Sequence, residues 1–112
     1  MFLPGNKITM SDELTVTRIA RIRNRLGMHA RAAVKFVQAA APFESEVFVR
    51  KDDEEVNGKS IMGLLTLVAA LGTQIELVAR GPDAQAAIDA LYALVDRGFD
   101  EGVEPDVPGA PR

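Results

Sequence analysis

The spacing of apolar residues switches between a two-residue and a helical period several times along this chain. Residues 14–22 alternate and predict a strand, whereas residues 30–40 place apolar side chains on one face of a helix. Residues 45–50 predict a second strand, which is followed by a polar tip and a short return strand that ends near Val56. The apolar alternating set of the first strand consists of Leu14, Val16, Ala20 and Ile22.

The second half of the chain continues the same alternation of strands and helices. The apolar run over residues 61–70 fits either a buried strand or a helix, and residues 74–80 alternate as a half-buried strand does. A last helix is predicted to begin after Asp83 as N-cap and to stop at Gly98. The resulting order, β-α-β-β-α-β-α, predicts a two-layer α/β sandwich with a largely antiparallel sheet.

The length of 112 residues fits a single folded domain. We expect residues 1–13 to form a flexible extension, residues 14–101 to form the domain, and residues 102–112 to form a flexible tail. The tail is predicted because three prolines fall within it.

Composition excludes several classes of function. The chain has no cysteine, so it has no disulfides and no thiol nucleophile, and its single histidine cannot build a multi-histidine metal centre. A net charge of −3 argues against a dedicated nucleic-acid binder. Because no apolar run is long enough to span a bilayer, we expect no membrane insertion. A cytoplasmic location without metal or cofactor is the resulting expectation.

The single histidine, His29, lies where the first helix is predicted to begin. A helix N-terminus presents unpaired N–H groups and partial positive charge, and Arg31 adds a guanidinium group suited to phosphate. These groups are expected to keep His29 neutral, hence nucleophilic, and to stabilise a phosphoryl group on its ring. Gly27 allows a sharp turn into the helix. The alternative is a solvent-facing histidine that has no chemical role.

Ser60 directly precedes the apolar run at 61–70 and is a second candidate. It is predicted to cap a helix that begins at residue 61, and capping alone explains its presence. A phosphate on Ser60 would instead add almost two negative charges to this helix end and alter a nearby docking surface.

Two motifs, LGMHARAA at 26–33 and NGKSIMGLL at 57–65, resemble the HPr family of histidine-containing phosphocarriers. The resemblance extends from about residue 14 to residue 101. It implies an open-faced sandwich in which three helices cover a four-stranded antiparallel sheet. It further implies that His29 accepts a phosphoryl group on Nδ1 from phospho-enzyme I, charged by phosphoenolpyruvate, and passes it to a histidine of an enzyme IIA.

The resemblance also implies roles for other residues. Arg31 would bind the phosphate, together with backbone groups of Gly27 and Ala30. Ser60 would be the serine that a dedicated HPr kinase/phosphorylase modifies in some bacteria. The apolar docking patch for partner proteins would consist of Ile61, Met62 and Leu65.

Two departures from the family pattern bear on whether the chain belongs to the sugar-transport or the nitrogen-related branch of the family, rather than on its chemistry. Ala32 stands where sugar-transport members usually have proline, and Leu26 replaces a small polar residue. The segments NRLGMHARAA at 24–33 and RGFDEG at 97–102 favour the nitrogen-related branch, in which a monomer would serve a regulatory enzyme IIA. The alternatives left open are a sugar-transport HPr, a non-transferring regulatory module of the same fold and a small nucleic-acid-binding domain.

Overall fold

Within residues 14–105, the part of the chain that the computed structural model describes, strands and helices follow each other in the predicted order. The strands are β1 (Leu14–Arg21), β2 (Glu46–Lys51), β3 (Glu54–Asn57) and β4 (Gln74–Gly81). The helices are α1 (Ala30–Ala40), α2 (Ile61–Thr66) and α3 (Ala84–Asp96), and a 3₁₀ turn over Gly98–Asp100 follows α3. The predicted division into extension, domain and tail stays a prediction, because residues 1–13 and 106–112 lie outside the described range.

The four strands form one antiparallel sheet in the order β1-β4-β2-β3. The last strand within residues 14–105, β4, therefore lies between β1 and β2 and is hydrogen-bonded on both edges. Its alternation was predicted from sequence, and Ile75, Leu77 and Ala79 are buried as expected. The two-layer sandwich with a four-stranded antiparallel sheet and three helices is confirmed.

The helices contribute their apolar stripes to a single core that also contains the sheet residues. Phe36 from α1, Leu64 from α2 and Leu91 from α3 are fully buried there. The opposite face of the sheet carries charged side chains, with Arg50 placed between Glu55 and Glu76, together with the apolar side chains of Val78 and Ile19. No helix in this part of the chain is long and apolar enough to cross a membrane.

The structure adds two details to the sequence prediction. Leu14 was predicted to belong to the apolar alternating set, but its side chain is 52% exposed at the start of an edge strand. The ambiguous run at 61–70 is helical only to Thr66, and Val68 then takes a positive φ of 51° with an exposed side chain. The backbone after the helix reaches the end of β1, where the Gly72 amide donates to the Ile22 carbonyl at 2.8 Å.

Asp83 precedes α3, but its carboxylate makes no capping hydrogen bond to that helix. It accepts hydrogen bonds from the Ser45 hydroxyl and from the backbone amides of Glu44 and Ser45 instead. These bonds, that of the Ser45 hydroxyl first, hold the pKa of Asp83 below its usual value of 3.8. Asp83 is therefore the N-cap residue of α3, as predicted, but its side chain joins the start of that helix to the loop before β2 and does not cap it.

We expect Asp83→Asn to lower the free energy of unfolding at neutral pH, because an amide offers one acceptor oxygen where the carboxylate offers two. Since folding lowers the pKa of Asp83, its stabilising contribution is complete above about pH 3.8 and is lost as the pH falls through the lowered value. The difference in free energy of unfolding between the wild type and Asp83→Asn should therefore disappear in strongly acidic buffer. Urea unfolding across this pH range tests it, with Asp89→Asn on the exposed face of α3 as control. A difference that is constant with pH would contradict the prediction.

Candidate functional site

His29 is the N-cap residue of α1, as its position in the sequence predicted. Its backbone is extended, and its carbonyl accepts the Ala33 amide at 2.8 Å to begin the helix. The ring performs the capping: Nδ1 accepts a hydrogen bond from the Arg31 amide at 3.2 Å. The side chain is 22% exposed, so the ring is partly enclosed but accessible. Ala30, the first residue of the helix, is exposed beside it.

The turn before His29 depends on the absence of a side chain at Gly27. Gly27 has a φ of +67°, and a Cβ built there would lie 2.5 Å from the Ala69 carbonyl oxygen. The next amide, that of Met28, donates to the same carbonyl at 2.8 Å. Asn24 closes the turn by donating from Nδ2 to the Gly27 carbonyl at 2.9 Å. Gly27 is thus needed both for its backbone angle and for the close contact with the loop after α2.

A carboxylate that was not predicted from the sequence faces the other ring nitrogen. Glu101 Oε2 lies 2.6 Å from His29 Nε2, and its side chain is only 15% exposed. Arg31 Nε lies 3.5 Å from the same oxygen. Positive groups around His29 were predicted from the sequence, and the structure adds this carboxylate to them. Glu101 occurs in the RGFDEG segment at 97–102, but nothing in its spacing from His29 indicates the contact.

The two contacts of the ring define its chemistry. A carboxylate accepts hydrogen bonds and a backbone amide donates them, so the network assigns a proton to Nε2 and an unprotonated lone pair to Nδ1. In this neutral form, Nδ1 is the nucleophilic nitrogen and points towards the start of α1. The arrangement is thus able to accept an electrophilic phosphorus at Nδ1.

The hydrogen bonds around Glu101 affect its ionisation as well as its position. Partial burial raises the pKa of the Glu101 carboxyl group. Hydrogen bonds from Asn24 and His29, together with the positive charge of Arg31, outweigh this effect and hold the pKa below its usual value of 4.5. Glu101 is therefore a carboxylate at neutral pH, paired with the histidine ring.

An open cavity of about 350 Å³ adjoins this group of residues. The guanidinium groups of Arg25 and Arg31 are largely exposed there, which suits an anionic group such as a phosphate. Between residues 14 and 105, no cluster of three histidine, aspartate or glutamate side chains could hold a metal ion. The residues that line the cavity are Arg25, Leu26, Arg31, Glu101, Gly102 and Glu104.

Ser60 is the N-cap residue of α2, and its Oγ accepts the Gly63 amide at 3.0 Å. The predicted capping role is confirmed. Among the predicted docking residues, Met62 is 74% exposed and Ile61 is 38% exposed, whereas Leu65 is half-buried against the core. The exposed apolar surface at this helix thus consists mainly of Met62 and Ile61.

Comparisons with known proteins agree with this geometry. A family model described as "PTS HPr component phosphorylation site" matches residues 16–97. The chain is 56% identical over 81 residues to the phosphocarrier protein HPr of Neisseria meningitidis strain MC58, covering 72% of this chain and 91% of that protein. It is 43% identical over 89 residues to the phosphocarrier protein NPr of Escherichia coli K12, covering 79% of this chain and 99% of that protein. The crystal structure of HPr-C-His from Thermoanaerobacter tengcongensis superposes with a TM-score of 0.71 at 42% sequence identity, covering 81% of this chain and 98% of that protein.

We expect Gly27→Ala to lower the free energy of unfolding by about 2 kcal/mol or more, because the left-handed backbone and the contact with Ala69 both oppose a Cβ. Gly102→Ala is the matched control, since Gly102 also has a positive φ but a Cβ added there would meet no atom within 4 Å. Urea unfolding of both variants measures the difference. Equal losses in the two variants would show that the contact with Ala69 contributes nothing.

Proposed function

The chain belongs to the HPr family of phosphocarrier proteins, and we propose that His29 accepts a phosphoryl group on Nδ1 from phospho-enzyme I and passes it to a histidine of an enzyme IIA. One observation carries the proposal. Nδ1 is the ring nitrogen that carries a lone pair and no proton, and it accepts a hydrogen bond from the Arg31 amide at the N-terminus of α1. A merely structural histidine at a helix start needs neither the guanidinium group nor the adjoining cavity.

The transfer needs little more than alignment and charge stabilisation. The Nδ1 lone pair attacks phosphorus, and the bond between phosphorus and the donor nitrogen breaks. Nε2 keeps its hydrogen, so no proton has to leave His29 during the step. The amides at the start of α1 and the Arg31 guanidinium group would stabilise the phosphate oxygens.

Partner proteins would meet this site through charge and a small apolar contact. Six basic and no acidic residues fall between residues 18 and 43, a distribution that favours encounter with acidic surfaces. Met62 and Ile61 would supply the apolar contact, in an interface small enough for rapid exchange. We further propose that the protein acts as a cytoplasmic monomer without a cofactor, nucleic acid or membrane insertion.

We propose the nitrogen-related branch, in which the acceptor is a regulatory enzyme IIA. Support comes from the segments NRLGMHARAA and RGFDEG and from the match to NPr of Escherichia coli, which spans almost all of that protein. A sugar-transport role is the second candidate, because identity to HPr of Neisseria meningitidis is higher, at 56%. The enzyme IIA that receives phosphate from the purified protein separates these two candidates.

The test of the phosphocarrier function is incubation with phosphoenolpyruvate and enzyme I. We expect acid-labile, alkali-stable label on the wild type and on Ser60→Ala, and none on His29→Ala, because only the latter lacks the accepting nitrogen. Phosphate release under acidic and alkaline conditions identifies the linkage. Label retained by His29→Ala would contradict the assignment, and no label with several active enzyme I preparations would favour the non-transferring regulatory module.

We propose that Ser60 is a regulatory phosphorylation site for an HPr kinase/phosphorylase. We expect Ser60→Asp to raise the KM for enzyme I roughly fivefold, because it adds negative charge beside Ile61 and Met62. Ser60→Asn is the matched control, since asparagine also caps a helix but carries no charge. Steady-state transfer kinetics measure the effect. An equal KM in both variants would argue against control by charge.

A further inference from the structure

We propose that Glu101 is a positioning residue that occupies Nε2 of His29 and thereby confines phosphorylation to Nδ1. The choice of nitrogen rests on geometry alone, whereas its effect on the rate of transfer rests on the proposed function. Both nitrogens of an imidazole ring are able to react with phosphorus, so the protein has to select one of them. Within the motif around His29, the Arg31 amide contacts Nδ1, whereas the group that faces Nε2 is Glu101, which lies outside the motif.

Glu101 distinguishes the two nitrogens by hydrogen bonding and by charge. At 2.6 Å from Nε2, its carboxylate keeps the proton on that nitrogen and leaves no lone pair there. It also opposes the approach of an anionic phosphoryl donor from that side. Nδ1, in contrast, faces a backbone amide and the start of α1, where negative charge is stabilised.

The position of Glu101 is fixed by residues from three parts of the chain. Asn24 is fully buried and donates from Nδ2 to Glu101 Oε1 at 3.1 Å. Phe99, two residues before Glu101, is fully buried, and its carbonyl accepts Lys35 Nζ at 2.8 Å. Asn24 holds the carboxylate directly, whereas the burial of Phe99 and its hydrogen bond from Lys35 fix the backbone that leads to Glu101.

The two residues before Glu101 have unfavourable backbone angles. Phe99 and Asp100 both have positive φ angles, of 54° and 64°, although neither is glycine. Such angles persist only where the surrounding structure enforces them, and they cluster at functional sites. Asn24 adds a second cost, because its Oδ1 is buried without a hydrogen-bond partner among residues 14–105. Both features adjoin the one carboxylate that faces the ring, through the turn that leads to it and through the bond from Asn24 Nδ2.

The hydrogen bond between Glu101 and the His29 ring would also assist phosphoryl transfer to and from His29. When phosphorus bonds to Nδ1 while Nε2 keeps its hydrogen, the ring becomes positively charged, and the Glu101 carboxylate stabilises that charge. In the return step, the protonated ring leaves phosphorus as neutral imidazole. The charged group next to the Glu101 carboxylate is Arg31, and Arg25 and Glu104 line the adjoining cavity.

The choice of nitrogen is tested with phosphoramidate, a chemical donor that requires no enzyme. Its phosphorus–nitrogen bond breaks, ammonia leaves, and a new bond to a ring nitrogen forms. ³¹P and ¹⁵N NMR of the labelled protein identify which nitrogen carries the phosphate. The variants are Glu101→Ala and Glu101→Gln, and Asp100→Asn is the control, because it removes one neighbouring carboxylate that pairs with Arg97 rather than with His29.

We expect the wild type and Asp100→Asn to be modified at Nδ1 only. In Glu101→Ala nothing occupies Nε2, and in Glu101→Gln one acceptor oxygen cannot serve both Asn24 and His29. The fraction phosphorylated at Nε2 should therefore rise at least about tenfold in both variants. Backbone amide spectra verify that the variants remain folded. Modification at Nδ1 alone in every variant would overturn the inference.

Transfer from phospho-enzyme I supplies the second measurement. We expect kcat for Glu101→Gln to be about tenfold lower than for the wild type, with KM unchanged. In the Asp100→Asn control, both kcat and KM should equal those of the wild type. An unchanged kcat would overturn the role in transfer. Should enzyme I fail to label the wild type, the proposed function fails, yet the phosphoramidate result still decides the role of Glu101.

Discussion

The position of the reactive ring depends on one close backbone contact, between the turn before α1 and the loop after α2. Gly27 and Met28 lie directly against the carbonyl of Ala69, at a distance that no Cβ at residue 27 would permit. This contact sets where α1 begins and therefore where His29 becomes its cap. The loop at 67–72 is in turn fixed because Leu67 and Ala69 are buried in the core beneath it. Packing of the sheet and helices thus determines the placement of a single imidazole.

The C-terminal segment completes the site from the opposite side. Phe99 fills the core, and the strained turn that follows brings Glu101 to the ring, 72 residues away along the chain. Asn24 connects the two halves, because the two hydrogens of its side-chain amide bond to the turn before α1 and to Glu101. The reactive ring is therefore held by a local turn and by a distant carboxylate that share one buried side chain.

Sequence patterns predicted the parts of this structure that depend on local spacing. Strand alternation identified the buried face of β4, helical stripes identified α1 and α3, and the residues around His29 and Ser60 identified both helix starts. Contacts made by folding distant segments together were missed: Asp83 binds the loop before β2 rather than its own helix, and Glu101 faces His29. The run at 61–70 was ambiguous because an apolar pattern of that length fits a buried strand as well as a helix.

The two proposed phosphorylation sites share one structural feature that bears on how a carrier tolerates phosphate. His29 and Ser60 are both N-caps, and in each the side chain accepts a hydrogen bond from a backbone amide of the first turn. A phosphate bonded to either atom would take away part of that capping interaction, but it would also bring new acceptor oxygens to the same amides. Helix starts would therefore remain satisfied with or without phosphate. The fold would need no rearrangement between the two states, and a protein that must gain and lose phosphate rapidly requires that property.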